Sequence, residues 1–337
     1  MGKKKKANAP SLMDVARRSG VGAGTVSRVI NGGLNVSPRT LAAVQQAIED
    51  LGYHPNQAAR SLKGARTKTI GLIVPSVADP FFSTAAAAIQ DVARKHGTLV
   101  LLAASDNQHA REREQIVTFI QRRIDGLILT PSEAADPDML RDAGFPVVCF
   151  DRPFPGDSLP SVLSDNYGGA KAATEYLVDR GYKRILCLAG DPKLFTSQRR
   201  VRGHRDVIRI AGLPYLASLN IQDAAGVAAA VTPYLNGRDK VDAIFCIKNA
   251  LTVEVYKLLR KTGIPLPEKM ALLGFDDFDL ADALEPAITV VRQPIEAMAT
   301  RAAELLFESL EKGQTEKGAV TLKVELIQRG SVLTRRK

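Results

Sequence analysis

The sequence predicts an α/β protein: a small all-α module at the N-terminus, then a core of parallel sheets flanked by helices and divided into two lobes. Three observations predict it. Residues 11–52 carry three short amphipathic helical patterns separated by glycines. From Thr69 onward, short apolar runs alternate with amphipathic windows, as parallel strands joined by helices require. The charge is lopsided as well: residues 1–70 hold twelve Lys/Arg against three Asp/Glu, whereas the rest of the chain holds 34 against 33.

In the N-terminal module, Ser11 is placed to cap a first helix, with Asp14 three residues on completing a capping-box variant. Leu12, Val15 and Ala16 form its apolar stripe, and Gly20 allows the turn that follows. A second helix is expected from about Ala23 to Ile30, with Val26, Val29 and Ile30 inward, ending at Asn31-Gly32-Gly33. Ser37-Pro38 supplies an N-cap and a first-turn proline for a third helix, whose stripe is Leu41, Val44, Ile48 and Leu51 before Gly52. So few residues bury little surface, so this module is expected to be marginally stable. Residues 53–69 read as a connector. Its segment Gln57–Lys63 has helix formers but one large apolar residue, Leu62, and is not expected to be helical alone.

The apolar runs of the core are Ile70–Val74, Leu99–Ala103, Leu127–Leu129, Val147–Phe150, Ile185–Leu188, Ala243–Ile247, Ala271–Gly274 and Ile288–Val291. Helical windows fall near 82–96, 111–123, 167–180, 197–211, 223–236, 250–262 and 294–312. About ten strands of this kind make two lobes more readily than one sheet. Ligands of open parallel sheets bind beyond the carboxyl ends of the strands. Here those ends carry Ser76, Ser105-Asp106, Thr130, Asp151-Arg152, Asp165, Lys248 and Asp276-Asp277, which together read as the lining of a cleft.

Composition excludes several classes. Nothing approaches eighteen consecutive apolar residues, so no membrane span or membrane partner is expected. The basic start, Met1 to Lys6, is followed by no apolar stretch, so the chain is expected to stay in the cytoplasm. Cys149, Cys187 and Cys246 each sit in an apolar run and read as buried small hydrophobes. The four histidines show no metal-ligand spacing, so no metal or cofactor is expected. A basic module on a near-neutral body points to a polyanion partner for the module alone. Lys3 to Lys6 read equally as a solubilising tail, but Arg17, Arg18, Arg28, Arg39, Arg60, Lys63, Arg66 and Lys68 are spread through patterned sequence.

Asp14-Val-Ala-Arg-Arg-Ser-Gly20-Val-Gly-Ala-Gly-Thr25-Val-Ser-Arg28-Val-Ile-Asn31 has helix-turn-helix spacing. With it come, in order, Leu51-Gly-Tyr-His-Pro-Asn56, Ala59-Arg-Ser-Leu62, Ile70-Gly-Leu-Ile-Val-Pro75, Asp79-Pro-Phe-Phe82, Arg123-Ile-Asp-Gly-Leu-Ile128, Phe150-Asp-Arg-Pro153, Ser164-Asp-Asn166, Gly274-Phe-Asp-Asp277 and Val291-Arg-Gln-Pro294. This ordered set resembles the LacI/GalR family of bacterial repressors over nearly the whole chain. The resemblance implies a helix-turn-helix headpiece, a hinge helix, and a two-lobe core like the periplasmic sugar-binding proteins. The corresponding divisions are a basic tail over 1–10, a DNA-binding domain over 11–55, a hinge helix and linker over 56–68, and an effector-binding and dimerisation core over 69–332. The N-lobe would comprise about 69–162 and 291–320, and the C-lobe about 163–290 and 321–332, with crossovers near Val162, Val290 and Val320-Thr321.

The function implied is a sequence-specific repressor, not an enzyme. A homodimer would set two headpieces on a pseudo-palindromic operator in double-stranded DNA, and a small-molecule effector, a sugar or sugar derivative, would control affinity from between the lobes. On the DNA side the implied residues are Ser11, Gly22, Ala23, Gly24, Thr25, Ser27, Arg28 and Asn31 of the headpiece. Asn56, Ala59, Arg60, Leu62 and Lys63 would follow from the hinge. Arg28 would reach a base edge or phosphate, while Ser11, Ser27 and Asn31 would contact the backbone. Leu62 would wedge between base steps from the minor groove; the alternative is that it packs on the core. On the effector side are Ser76, Phe81, Phe82, Asp106, Asp151, Arg152, Gln198, Lys248 and Asp276. Phe81 or Phe82 would stack on the ligand, and the aspartates and Arg152 would hydrogen-bond to it.

The chain departs from the family pattern at four of these positions. Gly22 and Gly24 leave the usual base-reading positions almost without side chains. Gln198, five residues before Gly203, stands where the family alignment expects an effector-binding arginine, and Lys248 where it expects a neutral asparagine. A partly buried lysine needs an anion: either Asp276 neutralises Lys248, or the effector brings a carboxylate or phosphate, or Lys248 points to solvent at the rim. Other readings are a transport sugar-binding protein, excluded by the headpiece and the lack of a signal peptide, a hydrolase, for which no catalytic constellation is visible, and a constitutive DNA-binding protein with a vestigial cleft. The lack of a heptad segment after Arg329 favours a dimer over a tethered tetramer.

Overall fold

A computed structural model describes residues 10–30, 36–53, 66–132, 137–154, 159–313 and 318–335. The chain divides into two units, Met1–Thr67 and Lys68–Lys337. In the first, three helices follow the local signals: α1 (Leu12–Ser19), α2 (Ala23–Ile30) and α3 (Pro38–Leu51). Ser11 caps α1 in a complete capping box, and Gly20 ends it in the left-handed conformation. Ser37 caps α3 ahead of Pro38, and Gly52 closes it, again left-handed. Val15, Val26 and Val44 are fully buried where the three helices meet, with Ala16, Val29, Ala47 and Tyr53 around them. Arg18 on α1 holds Asp50 on α3 at 2.7 Å. Asn31 and the connector residues Asn56, Ala59, Arg60, Leu62 and Lys63 lie outside the described residues.

The second unit is built on two six-stranded sheets. The strands and helices of the first are β1 (Thr69–Val74), α4 (Pro80–Lys95), β2 (Leu99–Ala104), α5 (His109–Gln121), β3 (Gly126–Leu129), α6 (Pro137–Asp142), β4 (Val147–Phe150) and β5 (Ser161–Ser164). The second lobe contributes α7 (Asn166–Asp179), β6 (Ile185–Leu188), α8 (Phe195–Ile210), β7 (Leu216–Ser218), α9 (Ala224–Val231), β8 (Ala243–Cys246), α10 (Asn249–Lys261), β9 (Ala271–Phe275) and β10 (Thr289–Arg292). Then α11 (Ile295–Lys312) and β11 (Ala319–Leu322) return to the first lobe, and β12 (Glu325–Ile327) ends in the second.

The sheet orders are β11-β5-β4-β3-β1-β2 and β12-β10-β9-β8-β6-β7. All described pairings are parallel except that of β10 with β12. Central strands β3, β4, β6, β8 and β9 are buried throughout, as sheets covered on both faces require. The chain passes between the sheets after Ser164, after Arg292 and between Leu322 and Glu325. Each passage lies a few residues beyond the position expected from Val162, Val290 and Val320, because β5, β10 and β11 each complete their pairing in the lobe they leave.

Candidate functional site

Two surfaces carry the residues singled out above. In the headpiece, Gly22, Gly24 and Arg28 are exposed on or just before α2, and Ala23, Thr25 and Ser27 are half-buried, while Val26 and Val29 face the core. One side of α2 is therefore free to meet a partner. Ser11 is exposed, and its hydroxyl is engaged with Asp14. Arg28 lies back along its own helix, its Nε donating to the Gly24 carbonyl and its Nη2 to Thr25 Oγ1, each at 3.4 Å. Neither Gly22 nor Gly24 has a left-handed φ, and a Cβ at either would meet nothing within 4 Å. The fold therefore does not require glycine at these places.

The second surface is a cleft of about 550 Å³ between the two lobes. Eight of the nine expected effector residues line it: Ser76, Phe81, Phe82, Asp106, Asp151, Arg152, Lys248 and Asp276. Strand ends put them there. Asp106, Asp151 and Asp276 follow β2, β4 and β9 with φ of 52°, 68° and 73°. This left-handed turn, uncommon outside glycine, breaks off each strand at the cleft. Phe81 and Phe82 open α4 with ring centroids 5.0 Å apart, edge to face, and Phe81 stacks on Phe150 at 5.7 Å. Asp106 is paired with Arg111 beside the opening. Asp151 is fully enclosed, and burial pushes its carboxyl above the usual carboxylate range against the opposing pull of Arg152 and Arg200. Arg152 lies 3.4 Å from Asp151 and donates to Asn107 at 2.7 Å.

Gln198 does not reach the cleft. It is exposed and donates to the Lys193 carbonyl at 2.9 Å. The cleft arginine is Arg200, 5 % exposed. The reason is helical rotation. Gly203 lies against α7, where a Cβ would come within 2.5 Å of the Tyr167 carbonyl oxygen. That close approach fixes the face of α8. At about 100° per residue, the side chain three positions earlier returns to nearly the same face, and the one five positions earlier lies about 140° away. The cation therefore remains at Arg200 and has not been transferred to Lys248.

Arg200 belongs to a closed circuit on the cleft floor. Its Nη1 donates to Asp276 Oδ2 at 3.2 Å and to the Ile247 carbonyl at 2.7 Å, and its Nε donates to Asn166 Oδ1 at 2.7 Å. Asn166 Nδ2 donates to the Ser164 carbonyl at 3.1 Å, the Ser164 hydroxyl donates to Gln293 Oε1, and Gln293 Nε2 donates to Asp276 Oδ1. The guanidinium also lies 3.7 Å over the Phe275 ring. The circuit joins the first passage between lobes to the second, so the cleft floor and both passages share one hydrogen-bond network.

Lys248 is not neutralised by Asp276, whose two oxygens are taken by Arg200 and Gln293. Its partner is Asp79, with Nζ 3.0 Å from Oδ2. This removes the step that required an anionic ligand. Asp79, Arg200 and Gln293 went unassigned in the sequence, although Asp79-Pro-Phe-Phe82 and Val291-Arg-Gln-Pro294 were both legible as motifs. A second cavity of about 600 Å³ lies alongside and shares Phe81, Asp276 and Gln293. Its Asp277 is consumed by Arg292 and Arg329, at 2.6 and 2.8 Å.

Comparison with known proteins finds matches over both units of the chain. A family model described as bacterial regulatory proteins, lacI family, matches residues 11–56. Another, described as periplasmic binding proteins and sugar binding domain of LacI family, matches residues 67–329. The HTH-type transcriptional regulator CelR of Thermobifida fusca is 34% identical over 336 residues, covering 96% of this chain and 98% of that protein. The ribose operon repressor of Halalkalibacterium halodurans is 32% identical over 305 residues, 90% of this chain and 91% of that protein. Among solved structures, a complex of the regulator CelR with cellobiose has a TM-score of 0.71 at 32% identity, covering 96% of this chain and 100% of that one. The lac repressor dimer bound to operator and an anti-inducer has a TM-score of 0.86 at 23% identity, covering 97% of this chain and all of that one, and shares the fold.

Proposed function

The chain belongs to the LacI family of bacterial regulatory proteins, and from that premise we propose a cytoplasmic transcriptional repressor whose operator affinity is set by an uncharged sugar held between the lobes of its core. The observation that supports the uncharged class is that each cation lining the cleft has its own carboxylate: Arg152 with Asp151, Arg200 with Asp276 and Lys248 with Asp79. An anionic ligand drawn to Arg152 or Arg200 would have to compete with that arginine's own carboxylate, which is costly because both pairs are buried; at the rim it would meet a lysine whose charge Asp79 already matches. Hydroxyls, which donate and accept, fit paired charges without disturbing their balance. The relatives named for cellobiose and ribose fall in the same class.

On DNA, a homodimer presents two α2 helices to the two halves of a pseudo-palindromic operator. Arg28 swings off its own helix to a base edge or phosphate, Ser11, Ser27 and Asn31 hold the backbone, and Gly22, Ala23, Gly24 and Thr25 face the groove. Asn56, Ala59, Arg60, Leu62 and Lys63 continue the interface into the minor groove, with Leu62 as the wedge. The exposed apolar side chains Leu99 and Leu102 of β2, with Val117 of α5, offer the dimer an apolar face. An effector on the cleft floor acts on the passages between lobes, because floor and passages are one network.

The test is a thermal-shift screen with matched sets: neutral mono- and disaccharides, the corresponding sugar acids, and the corresponding sugar phosphates. A neutral sugar should raise the melting temperature in proportion to the logarithm of its concentration, and Asp151→Asn should abolish the shift. Stabilisation by a sugar acid or phosphate but by none of the neutral sugars would overturn the reading.

A further inference from the structure

The ion pair between Lys248 and Asp79 differs from the other two in the cleft. Arg152–Asp151 and Arg200–Asp276 each lie within one lobe and would survive any opening of the cleft. Asp79 opens α4 in the N-lobe and Lys248 opens α10 in the C-lobe, so their 3.0 Å contact spans the gap. Opening the cleft must break it.

Both residues are built for this contact. Asp79 Oδ1 accepts the Phe81 N–H at 3.1 Å, capping α4 and fixing the carboxylate, so that Oδ2 is held out for Lys248. Its side chain is 13% exposed, whereas that of Lys248 is 51% exposed, which places the pair at the rim with water on the lysine side. Lys248 is a poor choice for its own helix. It occupies the N-cap of α10 and makes no side-chain cap hydrogen bond, and a cation at a helix N-terminus opposes the helix dipole. Nothing local accounts for lysine there. The carboxylate on the opposite lobe does.

We propose that Asp79 and Lys248 form a clasp that holds the two lobes together over the cleft before any ligand arrives, and so sets the balance between closed and open core in the free protein. A partly exposed pair of this kind shifts such a balance by about fivefold. A ligand that binds the closed arrangement therefore finds that arrangement already enriched, and its apparent affinity includes the contribution of the clasp. Since the pair is partly exposed, it weakens with salt. The inference builds on the cleft as the effector site, but the clasp is a property of the ligand-free chain and is tested there.

The experiment measures the distance between lobes in the full-length, ligand-free protein. Spin labels are placed at exposed α5 and α8 positions through Arg113→Cys and Arg209→Cys; the native cysteines are buried. Pulsed dipolar spectroscopy then reports the populations. Asp79→Asn keeps the helix cap and removes the charge; Lys248→Met keeps the stem and removes the cation. Both should move the distribution toward longer distances by about fivefold in population. Raising salt from about 0.05 M to about 1 M should move the unsubstituted protein the same way and leave both variants unchanged. A distribution unaltered by both substitutions, or one in which the variants respond to salt as the unsubstituted protein does, would overturn the clasp. Neither result bears on whether a neutral sugar binds, which the thermal-shift screen decides separately.

Discussion

His204 on α8 is fully buried in the C-lobe, between the rings of Tyr215 and Phe245, with centroids near 6 Å. Thr174 gives its hydroxyl proton to the Ala170 carbonyl, so at 3.1 Å its oxygen can only accept from His204 Nδ1. Nε2 has no partner among the described residues, and burial pulls the imidazole down to about 4. The unfolded chain takes up this proton near 6.5 and the folded chain does not, so stability is lost as pH falls from 6.5 toward 4. That window is worth on the order of 3 kcal/mol. Glu112 and Asp151, both raised by burial, act in the opposite sense, so the quantity to measure is a difference. The urea stability of His204→Phe minus that of the unsubstituted protein should grow by about 3 kcal/mol between pH 7 and pH 4; a constant difference would refute the buried neutral ring. The limits of sequence reading also lie at this scale. Both Gln198 and Arg200 were visible, but only the contact of Gly203 with α7 decides which of them faces the cleft. Lys248 was recognised as needing an anion, but its partner Asp79 lies 169 positions away in sequence on the other lobe.

Elements were legible where a local signal marks them. Ser11, Gly20, Ser37, Pro38 and Gly52 delimit α1 and α3 because capping is settled within a few residues. The buried strands β1, β3, β4, β6, β8 and β9 stood out as apolar runs for the same reason. The edge strands β7, β11 and β12 and the short β5 did not, because three or four partly polar residues become a strand only when a neighbour pairs with them. In the other direction, β2 reads as a buried run yet lies at an edge, with Leu99 62% exposed. Helix α2 carries a testable consequence of its composition. Gly24 has ordinary helical space around it, so Gly24→Ala should stabilise the headpiece by about 1 kcal/mol in thermal or urea unfolding. The same methyl group enters the face proposed to meet the major groove, so operator affinity should fall while the headpiece gains stability. A gain in stability with unaltered operator affinity would take that face of α2 out of the interface.

Across the whole molecule, charge follows the division of labour between the two units. Nearly all of the net positive charge lies in the first 70 residues, and the remainder holds 34 basic against 33 acidic side chains. The division at Thr67 and Lys68 falls at the end of that basic segment. The core does not need the headpiece to complete its sheets, since all twelve described strands lie between Thr69 and Ile327. A fragment starting at Lys68 should therefore fold, keep the sugar-induced thermal shift of the full chain, and lose specific DNA binding. The full chain should bind operator with a steep salt dependence, since each phosphate contacted by a lysine or arginine releases a counterion. A complex with six to ten such contacts loses about 10³ to 10⁵ in affinity between roughly 50 and 200 mM salt. Titrations of labelled operator with the full chain and with the fragment, over that range, separate the contributions. The slope of log affinity against log salt should belong entirely to the full chain, because a core whose charges are balanced has no surplus cations with which to displace counterions. Operator binding by the fragment with a comparable slope would place the polyanion surface on the core, and the headpiece would lose its role.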